Sequence, residues 1–287
     1  MKTKLFYIFV SIMYLGCEHS TQEAVNLPIF VKGTNTPQIL LGDNTAITLE
    51  RADLAFGPLY LCAGVNAGDL CDVARLEWPD SVVINTLNSQ AQEVGELQGV
   101  TGLVLSWMYD LGISSQLTRN EPFILSAAQE LDGYSLVIEG KALVSDIELP
   151  FTVSMGLKQS DDTELGVPII RKSLSDPFQK EVNLNDQNLT IQFDPSTWMQ
   201  KLDFSQYIKH ENCSEGSLEL LCNGTQELHC AHGEKISERN CSDLGQVCIS
   251  EQGCVDQLII KENSEAYRSI RNSVISGIRP KFTWNQD

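Results

Sequence analysis

Apolar and polar residues alternate in short runs along most of this chain, the period of half-buried strands. Tyr134 to Val144 alternates, and after a Ser145-Asp146 turn Ile147 to Leu157 does so again, which predicts a hairpin. Ala46 to Leu61, Val73 to Leu87, Val100 to Tyr109 and Glu181 to Phe193 carry the same strand signal, as do the closing residues Lys281 to Trp284. Many short strands separated by turn residues predict a mainly β fold, an antiparallel β-sandwich.

Three stretches carry the helical period instead. Asn120 caps a predicted helix with Pro122 in its first turn, Phe123, Ala127 and Leu131 on one face, and Gly133 past its end. Asp194-Pro195 starts a second, with Trp198, Leu202 and Phe204 as its apolar residues. Glu265 to Ser276 places Tyr267, Ile270 and Val274 at helical spacing before the stop signals Gly277 and Pro280. Trp78, Trp107, Trp198 and Trp284 all fall on strand or helix positions, where tryptophan is expected in the core.

Residues 211–256 break the pattern. They contain no Phe, Trp or Tyr, six of the nine cysteines, and nine acids against Lys235 and Arg239, a net charge of −7. Such a segment buries little core and needs disulfides to hold a fold. It lies between two helical patterns that need one core, so it is expected to be an insertion. The predicted organisation is a signal peptide over 1–16, a tether over 17–25, a discontinuous sandwich over 26–210 and 257–287, and a cysteine-rich module over 211–256.

The N-terminus supplies an address. Lys2 and Lys4 precede an apolar run from Leu5 to Leu15. That run is shorter than the roughly twenty residues a spanning helix needs, so it is expected to be a signal-peptide core. Tyr14-Leu15-Gly16-Cys17, followed at once by polar residues, resembles the lipobox of bacterial lipoproteins, with tyrosine where leucine is usual. The resemblance implies lipidation of Cys17; the alternative is ordinary secretion with cleavage near Gly16. Glu18 beside the lipid, by similarity to enterobacterial sorting, implies the outer membrane, facing the periplasm or the cell surface.

With Cys17 assigned to lipid, eight cysteines remain: Cys62, Cys71, Cys213, Cys222, Cys230, Cys241, Cys248 and Cys254. An even number in an exported chain is a disulfide set. Cys62 and Cys71 bracket a Gly-rich turn and are expected to pair; the other six form three bridges among the fifteen possible pairings. The chain's net charge of −18 excludes nucleic acid as a partner, because an acidic body repels phosphate.

The run Arg51-Ala52-Asp53-Leu54-Ala55-Phe56-Gly57-Pro58-Leu59-Tyr60-Leu61-Cys62, with Gly68-Asp69-Leu70-Cys71, Ala74-Arg75-Leu76-Glu77-Trp78, Ser106-Trp107-Met108-Tyr109-Asp110-Leu111-Gly112 and Gly277-Ile278-Arg279-Pro280-Lys281-Phe282-Thr283-Trp284, resembles an uncharacterised family of exported lipoproteins of myxobacteria and their relatives. That resemblance brings no activity with it. The order of elements also resembles, more distantly, the periplasmic β-sandwich proteins associated with methanobactin and copper handling. The cysteine-rich stretch resembles small disulfide modules appended to myxobacterial surface proteins.

Signatures of nucleophile elbows, zinc proteases, P-loops and dinucleotide sites are missing from the sequence. Of the four histidines, His19 lies in the tether, and His210, His229 and His232 lie in or beside the acidic insert. His229-Cys230-Ala231-His232 is the one metal-like cluster, of a ligand type that suits zinc or Cu(I). The competing reading is a bridged cysteine flanked by exposed histidines. Asn183 to Asn188 is rich in oxygen ligands but lacks the EF-hand glycine and glutamate, so a turn is expected. The leading expectation is a lipid-anchored envelope protein without catalytic activity or cofactor. It would be a binding or structural module, bound to the membrane through its lipid and meeting a protein partner through the insert. The alternatives are a periplasmic copper- or zinc-binding protein and an enzyme with no recognisable motif.

Overall fold

The computed structural model describes residues 22–36, 38–42, 45–64, 73–114, 123–157, 171–173, 179–208, 213–214, 219–249, 252–276 and 279–286. The expected signal peptide, Cys17, Cys71, the helix-start residues Asn120 and Pro122, His210 and the stop residue Gly277 lie outside them.

The fold is mainly β. The first sheet runs, in hydrogen-bonded order, Arg171–Ser173, Ser106–Asp110, Leu59–Cys62, Ala74–Trp78, Gln92–Val100, Ala24–Lys32, Asp186–Gln192 and Lys281–Gln286. The second runs Ile39–Leu41, Thr45–Phe56, Leu136–Val144, Ile147–Met155 and Leu258–Ile259, with Val82–Asn85 also paired to Thr45–Phe56. Pairing is antiparallel except where Ala24–Lys32 meets Asp186–Gln192 and where Ile147–Met155 meets Leu258–Ile259.

The alternation of the sequence becomes the sidedness of these sheets. Val25, Leu27, Ile29 and Val31 turn inward from the first sheet, and Leu149, Phe151, Val153 and Met155 from the second; all belong to one continuous core. The Thr45–Phe56 strand passes through Gly57 and Pro58 into Leu59–Cys62, so one stretch of chain serves both sheets. Ser145 and Asp146 take φ of 47° and 69°, the left-handed pair that a two-residue hairpin loop needs. At Gly99 an added Cβ would fall 1.9 Å from the Arg75 carbonyl oxygen, so only glycine lets these backbones meet.

Several expectations change. Two strands escaped the pattern: Ala24–Lys32, interrupted by Asn26 and Pro28, and Gln92–Val100, rich in Glu, Gln and Gly. The first begins two residues inside the expected tether, with Val25 already buried. The first helix spans only Ser126–Glu130, because Phe123–Ile124 instead pairs with Ile113–Ser114. Ala127 and Leu131 are buried as their spacing required, but Phe123 is 49% exposed. The second helix, Ser196–Met199, is one turn held by Asp194, whose side chain accepts from the Ser196 amide at 3.0 Å. The third helix runs over Glu265–Ser276 and buries Tyr267, Ile270 and Val274. Trp78, Trp107 and Trp198 are buried, and Trp284 packs half-buried against the same core. Leu184 and Asn185 form the expected turn, which leads into the strand at Asp186, whose carboxylate is occupied by the Lys180 ammonium at 2.7 Å and the Asn183 amide at 2.9 Å.

The cysteine-rich segment folds as a three-stranded antiparallel sheet, Glu219–Asn223, Gln226–Ala231 and Glu234–Asn240, with a hairpin of Val247–Ile249 and Gly253–Val255. Disulfides join Cys213 to Cys230, Cys222 to Cys248 and Cys241 to Cys254. Cys62 is also disulfide-bonded. The half-cystines Cys222, Cys241 and Cys248 are themselves the buried cluster of this module. It is not detached: Ile249 is fully buried in the main core, with Val247 and Val255 packed beside it.

Candidate functional site

Cys230 is bridged to Cys213, so it has no thiolate to offer a metal. His232 occupies an exposed turn with φ of 53°. His229 turns instead to Glu227, its Nε2 lying 2.9 Å from Oε1.

Glu227 is the hub the sequence did not single out. It is buried in the module, and Arg239 Nη2 donates to both of its oxygens at 2.9 Å. The Cys254 amide donates to Oε2 at 2.7 Å. Gly253, with φ of 78°, makes this approach possible, since a Cβ there would meet Oε2 at 2.3 Å. The Cys241 and Cys254 sulfurs lie within 4.8 Å of the carboxylate but are bonded to each other. The cluster is therefore a structural clasp tying the hairpin to the three-stranded sheet.

Burial pushes the Glu227 carboxyl up, but the Cys254 amide, Arg239 and His229 together pull it further down, leaving its pKa below the ordinary 4.5. A depressed carboxyl stabilises the fold above its unfolded value, and that stability disappears as pH falls through the folded value. Glu227→Gln is expected to destabilise the module by about 2 kcal/mol at pH 7, the scale of hydrogen bonds to a charged group. The gap between parent and variant should close as the pH is taken well below 4.5. Hydrogen–deuterium exchange of module amides such as that of Cys254, compared between parent and variant at matched pH, measures it; a gap independent of pH would contradict the clasp.

A second feature lies on the outer face of the second sheet. At one end of it charged residues pair: Arg51 bridges Asp53 and Glu139, and Lys141 reaches Glu148 at 3.1 Å and Glu50 at 3.6 Å. Toward the other end, helix Ser126–Glu130 covers Ala55 and Val137 with Ala127, Ala128 and Leu131. Beside this helix the sheet is left open as a groove of about 720 Å³. Thr152 and Ser154 of the Ile147–Met155 strand, with Gly156, line it. Ile124, Tyr134 and Ile259 form apolar walls, each more than a third exposed, and Asp132, Lys261 and Glu262 bring charge to it.

Local geometry explains these positions. The helix ends with Asp132 and Gly133 both at positive φ, and the Gly133 amide returns to the Ala128 carbonyl at 2.7 Å, which turns Tyr134 outward. Ile259 comes from the strand through which the chain leaves the cysteine-rich module, so the groove borders that exit.

The groove falls where the Ile147–Met155 strand loses its neighbour. Leu258–Ile259 pairs with it only at Phe151 and Thr152. The Ile260 amide donates to the Thr152 carbonyl at 2.9 Å, and among the described residues the ladder goes no further. None of the groove residues stands out in the sequence. The available signal was Pro150, since proline within a strand pattern marks an edge strand.

No protein-family model matches the chain, and no curated protein is similar to it. Among solved structures the chain is similar to MbnP from Methylosinus trichosporium, at 9% sequence identity and a TM-score of 0.32, over 62% of this chain and 77% of that one. At that score the likeness is too slight to carry residues or chemistry across.

Disulfides persist in oxidising compartments, so the three bridges place this chain outside the reducing cytosol. No helix among the described residues is long and apolar enough to cross a membrane.

Proposed function

We propose that this protein is a lipid-tethered module of the cell envelope that acts by binding, with the groove on the second sheet as its binding surface. One observation carries the reading. The sheet's outer face is closed by ion pairs at one end and by a helix at the other, yet beside the helix it keeps a walled concavity of about 720 Å³ with exposed apolar sides and polar groups on its floor. Concave sites with apolar walls and a few placed polar groups are where ligands bind. The disulfide clasps hold the segment that delivers Ile259 to the wall, and a lipid on Cys17 would hold the domain at the membrane.

Photocrosslinking in the cells that export the protein tests this. Tyr134→p-benzoylphenylalanine is expected to give discrete adducts on irradiation, while the same probe at Leu184, 59% exposed and away from the groove, should not. In the same cells Cys17→Ser should move the protein from the membrane to the soluble fraction, since a serine hydroxyl cannot form the thioether. Equal labelling from both probes, or none from Tyr134, would overturn the binding reading. Unchanged sedimentation of Cys17→Ser would overturn the tether.

A further inference from the structure

We infer that the groove takes an extended peptide as an added β-strand along Ser154 to Gly156, and that the peptide alternates apolar with basic residues. This rests on the groove being the binding surface.

The outer edge of the Ile147–Met155 strand is treated differently along its length. Thr152 turns its carbonyl outward to the Ile260 amide, while Met155 turns its own inward to the Ser135 amide at 2.7 Å. Backbone direction alternates with period two, so Glu148, Pro150, Thr152 and Ser154 all present their N–H and C=O positions to the outer edge. At the first of these a charge stands on the edge, and at the second proline removes the N–H; both are ordinary devices against strand addition. At the third, Leu258–Ile259 covers the edge. Ser154 itself carries neither charge nor a proline ring, and among the described residues no strand lies opposite it. That position opens into the groove.

Strand addition joins main-chain hydrogen bonds, which supply affinity, to alternate side chains, which supply selectivity. Ile124, Tyr134 and Ile259 offer apolar contact to one row of side chains. Asp132 and Glu262 outnumber Lys261 in the lining, and Glu130 and Glu265 adjoin it in sequence, so the charge that fits is positive. The chain's net charge of −18 adds steering in the same direction.

The probe is the heptapeptide Lys-Val-Lys-Val-Lys-Val-Lys, fluorescein-labelled and titrated against the purified full chain by anisotropy. Saturable binding is expected, with slowed hydrogen exchange at the Ser154 and Gly156 amides. Ser154→Pro repeats at the edge what Pro150 already does in the same strand and should weaken binding at least tenfold. Ser154→Ala keeps the amide and should change it less than twofold. A peptide N-methylated at alternate residues should fail to bind the unaltered protein, a readout that does not depend on any variant folding. Absence of binding by the lysine peptide, equal binding of its N-methylated form, or equal binding of the Glu-Val counterpart would each overturn the inference. Adducts from position 134 alongside any of these results would sink strand addition and leave the binding reading standing. Loss of those adducts would sink the binding reading itself.

Discussion

Truncation after His210 is expected to leave a chain without a cooperative melting transition, whereas replacing residues 211–256 by a short Gly/Ser linker should leave one that folds. The residues after the insert complete both sheets. Leu258 and Ile259 pair with the second, and Lys281–Gln286 pairs with Asp186–Gln192 at the edge of the first. Between them, Leu258, Ile260, Ala266, Tyr267, Ile270 and Val274 are buried in the common core, and the Phe282 ring packs tilted against Trp107 with centroids 4.3 Å apart. Each large apolar side chain is worth about 1.5–3 kcal/mol when buried. Losing several exceeds the roughly 5–15 kcal/mol that holds a domain together. The linker variant loses only what the insert contributes to that core, chiefly Ile249 with parts of Val247 and Val255. That is about 3 kcal/mol, a drop in Tm of about 10 °C in a domain of this size. Loop closure adds little, because its cost grows with the logarithm of length. Differential scanning calorimetry of both forms decides the matter. A truncated chain that melts near the parent temperature beside an unfolded linker form would refute the two-part domain.

Removing one bridge of the insert should have the next largest effect. The Cys222–Cys248 disulfide spans 26 residues and ties the three-stranded sheet to the hairpin that carries Ile249. Loop entropy alone assigns such a link about 3–4 kcal/mol. The module has little else to draw on, since its buried cluster is built from half-cystines and its strand Glu234–Asn240 is exposed almost throughout. The Cys222→Ser/Cys248→Ser double variant is therefore expected to lose the module while the sandwich stays folded. Trypsin should cut after Lys235 and Arg239 at least tenfold faster than in the parent, leaving the two sheets protected. Rates equal to the parent's would mean that the other two bridges and the Glu227 clasp suffice.

The groove and the clasp bear on one another through a single stretch of chain. The Cys254 amide is held by Glu227, and four residues later Leu258 enters the second sheet beside the groove. A module loosened by reduction or by acid is expected to deliver Ile259 to the groove wall less firmly. Peptide binding at neutral pH should then weaken at the reductant concentrations that speed tryptic cleavage at Arg239.

Much of this molecule follows from local pattern. Alternation in Tyr134 to Leu157 is enough for the hairpin and its inward face, because sidedness in a strand has a period of two and one face must meet the core. The helix at Glu265–Ser276 follows from apolar spacing and the stop signals after it. The cysteine-rich segment stood apart as one too poor in aromatics to build a core of its own. Other features depend on partners distant in sequence. Gln92–Val100 carries no apolar alternation, yet it is a strand because two neighbours hydrogen-bond to it and its glycines let them approach. Which cysteines pair is set by how the insert's two small sheets dock, since six cysteines obey no local rule. The groove exists because the Leu258–Ile259 strand stops short of Ser154, and where one strand ends beside another is decided by packing between segments more than a hundred residues apart.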